Sequence, residues 1–263
     1  IKQEPNLKLS EIAGPGYQGL NINQGNKTGR ANPPQPLGTP LASSPKVREA
    51  LELTIDRDAI NQVVFDGLYD PGCTPVPAPS VFHIKEIQCP KRDVTKAKKL
   101  LAEAGATNLK FEMMVVNDPV QNRVAQVIQG MASEAGIQIT LRPAEFASAL
   151  AQQDQGQYET FLIGWSGRPD PDGNIHQFHT CKGSQNTMGV CNPDIDELLN
   201  KAREVSEVPA RYKLYAEATK KFLERRNIIY LYHLKYIVAM NKKVNRYVAT
   251  PDGLIRMSGV TLQ

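Results

Sequence analysis

The sequence lacks the features that mark several large functional classes. It has no apolar run close to the ~20 residues of a membrane-spanning helix. Its 31 lysines and arginines are nearly balanced by 27 aspartates and glutamates, and the basic residues form no stripe with aromatics, which argues against a nucleic-acid partner. It contains no phosphate-binding glycine loop, nucleophile elbow or metalloprotease motif, so it is not predicted to be an enzyme. The remaining composition, 41% hydrophobic and 22% charged, is typical of a globular domain.

Cysteine is also scarce, but the four cysteines are informative because they occur as two local pairs. Cys73 and Cys89 bracket a proline-rich loop, and Cys181 and Cys191 bracket a short polar loop. Four cysteines allow three connectivities, and sequential pairing is favoured because short loops close at the lowest entropic cost. Two such disulfides would indicate an oxidising compartment.

Hydrophobic periodicity predicts a mixed α/β fold. Residues 1–44 are dominated by Gly, Pro, Asn and Gln, with Tyr17–Ile22 as the one strand-like piece. Strands at 109–116 and 137–141 flank a helical pattern, so they should run parallel. Helix N-caps are predicted at Ser44, Asp56, Asp93 and Asp118, with later helices at 193–205 and 209–225 and later strands ending at Trp165 and spanning 228–234.

The most informative stretch is residues 161–174. An apolar run ends at the only tryptophan, Trp165, and continues into Gly, Pro and Asp. This pattern is typical of a buried strand that opens into a loop, which is where α/β sheets present side chains to small molecules. The stretch therefore predicts ligand binding rather than catalysis.

Three parts of the chain together resemble a known family. Lys46–Ala50 and Ile55–Ile60 resemble the helix pair, and Phe161–Asn174 the tryptophan signature, of bacterial extracytoplasmic solute-binding proteins of the peptide and nickel class. These proteins are the capture subunits of ABC importers. The resemblance implies an α/β fold with a mixed sheet and flanking helices, namely the second lobe of a type II periplasmic-binding-protein fold.

The resemblance also implies a division of the chain. Residues 1–44 would be an irregular segment from the hinge side, residues 45–240 the ligand-binding lobe, and residues 241–263 a return segment toward a missing first lobe. Without that lobe, apolar residues near the hinge would lack cover, which predicts self-association. These residues are Tyr17, Leu20, Tyr236 and Val238.

The implied function is capture of a peptide or related small solute in the periplasm. Hinge closure would bury the solute between two lobes, and the closed form would dock on the membrane permease of the importer. No cofactor is expected. Because the family includes nickel-chelate binders, a protein that binds nickel or a metal chelate is the alternative, and a hydrolase is a further one.

The ligand-binding residues implied by the resemblance are Trp165, Ser166, Arg168, Phe146 and Asp170. In this class the tryptophan stacks on the ligand, and Phe146 falls where many relatives carry another cleft aromatic. Peptide-binding relatives have an Asp three residues after the tryptophan, which pairs with the ligand's α-ammonium group, whereas this chain has Arg168 there. A ligand-facing Arg168 would attract a carboxylate or phosphate. Otherwise Arg168 would point into solvent or pair with Asp170.

The loop after Trp165 also suggests metal binding. Asp170, Asp172 and Asn174 resemble the start of a calcium loop, but Ile175 and Cys181 stand where Gly and Glu are needed. Turn formation and helix capping are therefore predicted for the two aspartates. A zinc site built from His176, His179, Cys181 and Cys191 would require free thiolates, and no metal site is predicted.

A catalytic interpretation of the same loop uses three residues. Asp170 and Asp172 would be paired carboxylates and His233 a base of a hydrolase. No catalytic motif accompanies these residues, and no catalytic residue is predicted.

Overall fold

The structure is a computed structural model that describes residues 4–263. Its strands are β1 (Leu7–Ile22), β2 (Asp70–Pro71), β3 (Lys110–Val116), β4 (Gln138–Ala144), β5 (Thr160–Trp165), β6 (Ile228–Asn241), β7 (Val244–Asn245) and β8 (Thr261–Leu262). Its helices are α1 (Pro40–Ser43), α2 (Pro45–Thr54), α3 (Arg57–Phe65), α4 (Val94–Glu103), α5 (Pro119–Ser133), α6 (Phe146–Asp154), α7 (Asp172–His179), α8 (Pro193–Glu204) and α9 (Val208–Arg225).

The first six strands form one mixed sheet in the order β2-β6-β1-β5-β3-β4. β3 runs parallel to β4 and β5, whereas β1 runs antiparallel to its neighbours β5 and β6. The parallel arrangement predicted for the strands on either side of α5 is confirmed. The carboxyl ends of β3, β4, β5 and β6 therefore point the same way, which is the arrangement that forms ligand sites in α/β sheets.

Local side chains fix where the helices begin. The Asp56 carboxylate accepts a hydrogen bond from the Ala59 amide, and Asp93 accepts one from Lys96. Asp118 accepts from two amides of the first turn of α5. Each bond satisfies a backbone donor that has no partner inside the helix. The predicted N-caps, including Ser44 before α2, are confirmed.

Both faces of the sheet are buried because successive strand residues point to opposite sides. Met113 and Leu162 pack in the apolar cluster that includes residues of α2, α4 and α5. Their neighbours Met114 and Phe161 pack on the other face with residues of α6. Tyr230 of β6 lies in a further cluster with residues of α7, α8 and α9. The fold is thus a sheet between two helical layers.

The interpretation of residues 1–44 as irregular is wrong for the part of β1 that precedes Tyr17, whereas the strand predicted at Tyr17–Ile22 is confirmed. β1 begins at Leu7 and lies in the middle of the sheet, between β5 and β6. The sequence signal was weak because Gly14, Pro15 and Gly16 interrupt the apolar pattern, and the pairing of β1 with β6 shifts register between Ala13 and Tyr17. The boundaries at residues 44 and 240 stay predictions.

The expected exposure of Tyr17 and Leu20 is also wrong. Tyr17 is 2% exposed and Leu20 is 0% exposed, because both belong to the central part of β1 and pack in the core. Tyr236 and Val238 are partly buried where β1 and β6 continue as a two-stranded ribbon beyond the rest of the sheet. Self-association therefore gains no support from Tyr17 or Leu20.

Both sequential disulfides are confirmed. Cys73 is bonded to Cys89, and Cys181 is bonded to Cys191. The first closes the proline-rich loop that follows β2, and the second closes the loop between α7 and α8. Within residues 4–263, none of the helices combines the length and the apolar character needed to cross a membrane.

Candidate functional site

Trp165 ends β5 at the carboxyl edge of the sheet, and Asn174 organises the loop that follows it. The Asn174 side chain is buried, and its Oδ1 accepts hydrogen bonds from the Trp165 indole (3.1 Å) and the Arg168 amide (2.7 Å). Its Nδ2 donates to the Arg168 carbonyl at 2.9 Å. Gly167 has a φ of +82°, and a Cβ there would collide with the backbone of Pro15. Residues 165–168 are therefore held tightly against β1.

Trp165 lines two open cavities at this edge. The first, called the aromatic cavity, has a volume of about 260 Å³. Its wall is made of Tyr17, Phe146, Leu150, Ile163, Trp165 and Phe178, together with the neutral polar residues Asn21, Gln153, Gln185 and Thr187. The second, called the cationic cavity, has a volume of about 420 Å³ and is lined by Trp165, Arg168, Asp172, His176, Lys182 and Arg203, among others.

The aromatic cavity has the composition of a small-molecule site. Trp165 packs edge-on against Phe178, with ring centroids 5.2 Å apart. Phe146 follows β4 as the first residue of α6 and is 53% exposed. A large aromatic side chain left open to solvent beside a second aromatic is typical of a surface that binds something. The predicted pair Trp165 and Phe146 thus lies at one cavity.

The carboxylates of the loop are neutralised by arginines from the following helices. Asp170 forms two hydrogen bonds of 2.9 Å with Arg211 of α9, and these bonds lower the pKa of its carboxyl group. Asp172 forms a similar pair with Arg203 of α8, at 2.7 and 2.9 Å. The alternative in which Arg168 pairs with Asp170 is wrong, because Arg211 occupies both oxygens of Asp170.

Arg168 lies over the Trp165 ring instead. Its guanidinium carbon is 4.5 Å from the ring centroid, a cation–π arrangement. Its Nη1 donates to the Gly167 carbonyl at 2.7 Å and to the Ser166 hydroxyl at 3.3 Å. The structure therefore brings Trp165 and Arg168 together. Ser166 is exposed, and neither Ser166 nor Asp170 lines either of the two cavities, so their ligand-binding roles stay predictions.

Sequence reasoning missed the polar residues that the disulfide loop contributes. Lys182 comes from this loop to the cationic cavity, and Gln185 and Thr187 come from it to the aromatic cavity. No motif marks these residues, because they reach the cavities only after the Cys181–Cys191 loop has folded back over the sheet edge. The helix α7, which presents Asn174 and His176, was also missed because Asp, Pro and Gly at its start favour a turn.

The metal interpretations do not fit the geometry. Cys181 and Cys191 are oxidised, so they offer no thiolates to zinc, and Asp170, Asp172 and Asn174 are bonded to other protein groups. Over residues 4–263, no group of three or more His, Cys, Asp or Glu side chains could hold a metal ion. The proposed hydrolase base, His233, is buried and bonds to the Thr74 carbonyl at 2.9 Å.

His179 belongs to the core rather than to a site. Its ring stacks on Phe222 with centroids 3.6 Å apart. Its Nδ1 accepts from the Asn227 amide at 3.1 Å, so its Nε2 carries the proton and donates to the Tyr230 hydroxyl at 2.9 Å. Complete burial lowers the pKa of His179 to about 3, because a charged imidazole would lose its hydration.

The buried His179 predicts a specific loss of stability in mild acid. Below pH 6.5, His179 binds a proton in the unfolded chain, whereas in the folded chain it stays neutral down to about pH 3. Stability is therefore present above pH 6.5 and is lost as the pH falls. Between pH 6.5 and pH 5 the free energy of unfolding should fall by about 1–2 kcal/mol less in His179→Gln than in the parent chain. Urea unfolding of both proteins at several pH values measures this, and equal pH dependence would refute it.

A larger cavity than these two lies elsewhere and has a different character. It has a volume of about 710 Å³ and is lined by the Cys73–Cys89 loop, with His83, His233 and charged residues of both signs. We call it the disulfide-loop cavity. It has no aromatic residue other than the two histidines in its wall, whereas ligand pockets are rich in apolar and aromatic side chains. Size alone therefore does not identify the site, and the aromatic cavity is the better candidate.

Comparison with known proteins shows the family to which the chain belongs. A profile of the family described as "Bacterial extracellular solute-binding proteins, family 5 Middle" matches residues 1–186. Di/tripeptide-binding protein 4 of Pseudomonas aeruginosa (strain UCBPP-PA14) is 32% identical over 204 residues, which are 72% of this chain and 38% of that relative. The dipeptide-binding protein of Escherichia coli (strain K12) is 25% identical and aligns with 100% of this chain and 49% of its own length.

Solved structures show the same fold. HbpA2 from Haemophilus parasuis matches with a TM-score of 0.83 and 26% identity, over 100% of this chain and 51% of that one. NikA from Staphylococcus aureus, solved in complex with Ni(L-His)2, matches with a TM-score of 0.81 and 25% identity, over 100% of this chain and 55% of that one. The predicted fold class, with a mixed sheet and flanking helices, is confirmed.

The family profile, and not the fold or the cavities alone, identifies the class as solute-binding proteins. The chain belongs to family 5 of the bacterial extracellular solute-binding proteins, and the predicted resemblance to the peptide and nickel class is confirmed. The chain spans about half or less of the length of these curated relatives.

Proposed function

We propose that this chain is the ligand-binding lobe of the substrate-binding component of an ABC importer for peptides or related small solutes. The observation that carries the proposal is the pair of the partly buried Trp165 and the exposed Phe146 at the aromatic cavity, beside the carboxyl ends of β4 and β5. The names of the di/tripeptide-binding and dipeptide-binding relatives support a peptide-like solute. No catalytic step is part of the proposal.

Capture proceeds by closure of a second lobe. The solute first binds at the aromatic and cationic cavities, and the second lobe then covers it and excludes water. The closed form docks on the membrane permease. The Cys73–Cys89 and Cys181–Cys191 disulfides support an oxidising location such as the periplasm. Because one lobe encloses only part of a solute, the chain alone binds weakly.

A metal chelate is the second candidate solute, because NikA of Staphylococcus aureus is 27% identical over 261 residues. Among the residues described, no cluster could hold the ion directly. The metal would therefore be carried by an organic chelator, whose acid groups the cationic cavity suits.

Self-association also stays a proposal. The exposed Leu254, Ile255 and Met257 of the C-terminal segment offer apolar surface for it. Sedimentation at high concentration tests it, and a strict monomer counts against it.

Trp165 makes the proposed function directly testable, since it is the only tryptophan. A panel of di- and tripeptides, with free and with acetylated N-termini, is titrated into the chain while the tryptophan fluorescence is recorded. We expect a saturable change for some members, with dissociation constants of about 1–10 mM for the open lobe. Glucose at equal concentration serves as the control. A spectrum that no peptide alters would contradict the proposal.

A further inference from the structure

The charges around Trp165 are unbalanced toward cations. The lining of the cationic cavity includes one lysine and two arginines, Lys182, Arg168 and Arg203, and one carboxylate, Asp172. Arg203 and Asp172 neutralise each other through two hydrogen bonds. The nearby Asp170 is likewise neutralised by Arg211. Arg168 and Lys182 therefore remain as uncompensated positive charges beside the tryptophan.

Arg168 also has hydrogen-bond donors that remain available to a ligand. Its Nη1 is used by Gly167 and Ser166, but within residues 4–263 neither its Nε nor its Nη2 donates to a protein acceptor. Nε and Nη2 form one edge of the planar guanidinium group, which matches the two oxygens of a carboxylate. Stacking on Trp165 restrains the plane of the group. The guanidinium is thus partly preorganised for a bidentate acid.

Trp165 lies between these positive charges and the aromatic cavity. Its ring lines both cavities, whereas the aromatic cavity has no ionisable acid or base other than Tyr17 in its wall. The phenol of Tyr17 is buried, and burial raises its pKa, so it stays neutral. A solute that covers Trp165 therefore meets cations on the Arg168 side and neutral groups, apolar and polar, on the Phe146 side.

We infer that the solute carries a carboxylate that binds Arg168, next to an apolar group that enters the aromatic cavity. This inference rests on the proposed function and specifies its substrate class. A solute that places a free ammonium group at Arg168 is disfavoured, because Arg168 and Lys182 would repel it without a free carboxylate nearby. Acylated amino acids and peptides that present their C-terminus at this position have the required chemistry.

The test uses three probes with the same leucine side chain and different charges: N-acetyl-leucine (anionic), N-acetyl-leucinamide (neutral) and leucinamide (cationic). Binding to the chain is followed by Trp165 fluorescence and by its single indole NMR signal. We expect the anion to bind best, by about tenfold over the neutral probe. In Arg168→Gln the ratio of these two affinities should fall toward one. Arg123→Gln, which removes an equal charge from the exposed side of α5 outside both cavities, should keep the ratio.

The outcomes separate the inference from the proposed function. If leucinamide or N-acetyl-leucinamide binds as well as N-acetyl-leucine, or if Arg168→Gln keeps the ratio, the inference is overturned while ligand binding at Trp165 stands. If neither these probes nor any peptide perturbs Trp165, both are overturned. Raising the ionic strength should weaken the binding of N-acetyl-leucine but not that of N-acetyl-leucinamide. An effect of the same size on both probes would also contradict the inference.

Discussion

Replacing Glu52 by glutamine should lower the free energy of unfolding by about 3–5 kcal/mol. Glu52 of α2 accepts from Arg57 at 2.7 Å and from Arg226 at 2.8 Å, and the side chains of Glu52 and Arg57 are only 10% and 4% exposed. Arg57 in turn donates to the Tyr230 carbonyl of β6 at 2.9 Å. Without the carboxylate, a buried guanidinium would lose its counter-charge while its other bonds hold it in place.

Glu197 provides the matched control for this variant. It forms an ion pair with Lys201 at 2.6 Å, but both side chains are more than half exposed. Glu197→Gln should leave the unfolding transition where it is, because water replaces the lost interaction. Urea unfolding of the three proteins makes the comparison. Equal stability of Glu52→Gln and the parent chain would show that the Glu52 pairs do not hold α2 to α3 and to the end of α9.

Replacing Trp165 by alanine should weaken solute binding by at least about tenfold. The substitution removes the ring shared by both cavities, the platform under Arg168 and the indole donor to Asn174. The affinity of Trp165→Phe should lie between those of the parent chain and Trp165→Ala, since phenylalanine restores an aromatic face without the indole donor. Calorimetry with the best solute of the peptide panel measures the effect.

The control for Trp165 lies at the competing cavity. His83→Ala alters the wall of the disulfide-loop cavity and should leave the affinity unchanged. If Trp165→Ala binds as tightly as the parent chain while His83→Ala does not, the solute site lies at the disulfide-loop cavity. Circular dichroism of each variant verifies that the fold is intact.

Local sequence signals predicted much of the fold. The caps Ser44, Asp56, Asp93 and Asp118 act within three residues, so their effect can be read from neighbouring positions. β1 was largely missed because its stability comes from pairing with β5 and β6, which lie more than a hundred residues away in the chain. Glycines and a proline in a strand hide such pairing from a pattern based on periodicity.

The sequence allowed the residues of the candidate site to be proposed, but not the balance of charge around them. Trp165, Phe146 and Arg168 were named from the resemblance to the family. Trp165 lines both cavities, Phe146 lines the aromatic cavity and Arg168 lines the cationic cavity. Which carboxylate meets which arginine was not predictable, because Arg203 and Arg211 lie on helices that follow the loop by about 30 to 40 residues. These long-range pairs leave Arg168 without an acid and so decide the chemistry of the site.

The structure of the chain with a bound solute from the peptide panel tests the central claim most directly. We predict that the solute contacts the rings of Trp165 and Phe146 and that its carboxylate lies within hydrogen-bonding distance of Arg168. A solute bound in the disulfide-loop cavity, in contact with His83 and His233 and away from Trp165, would contradict the account.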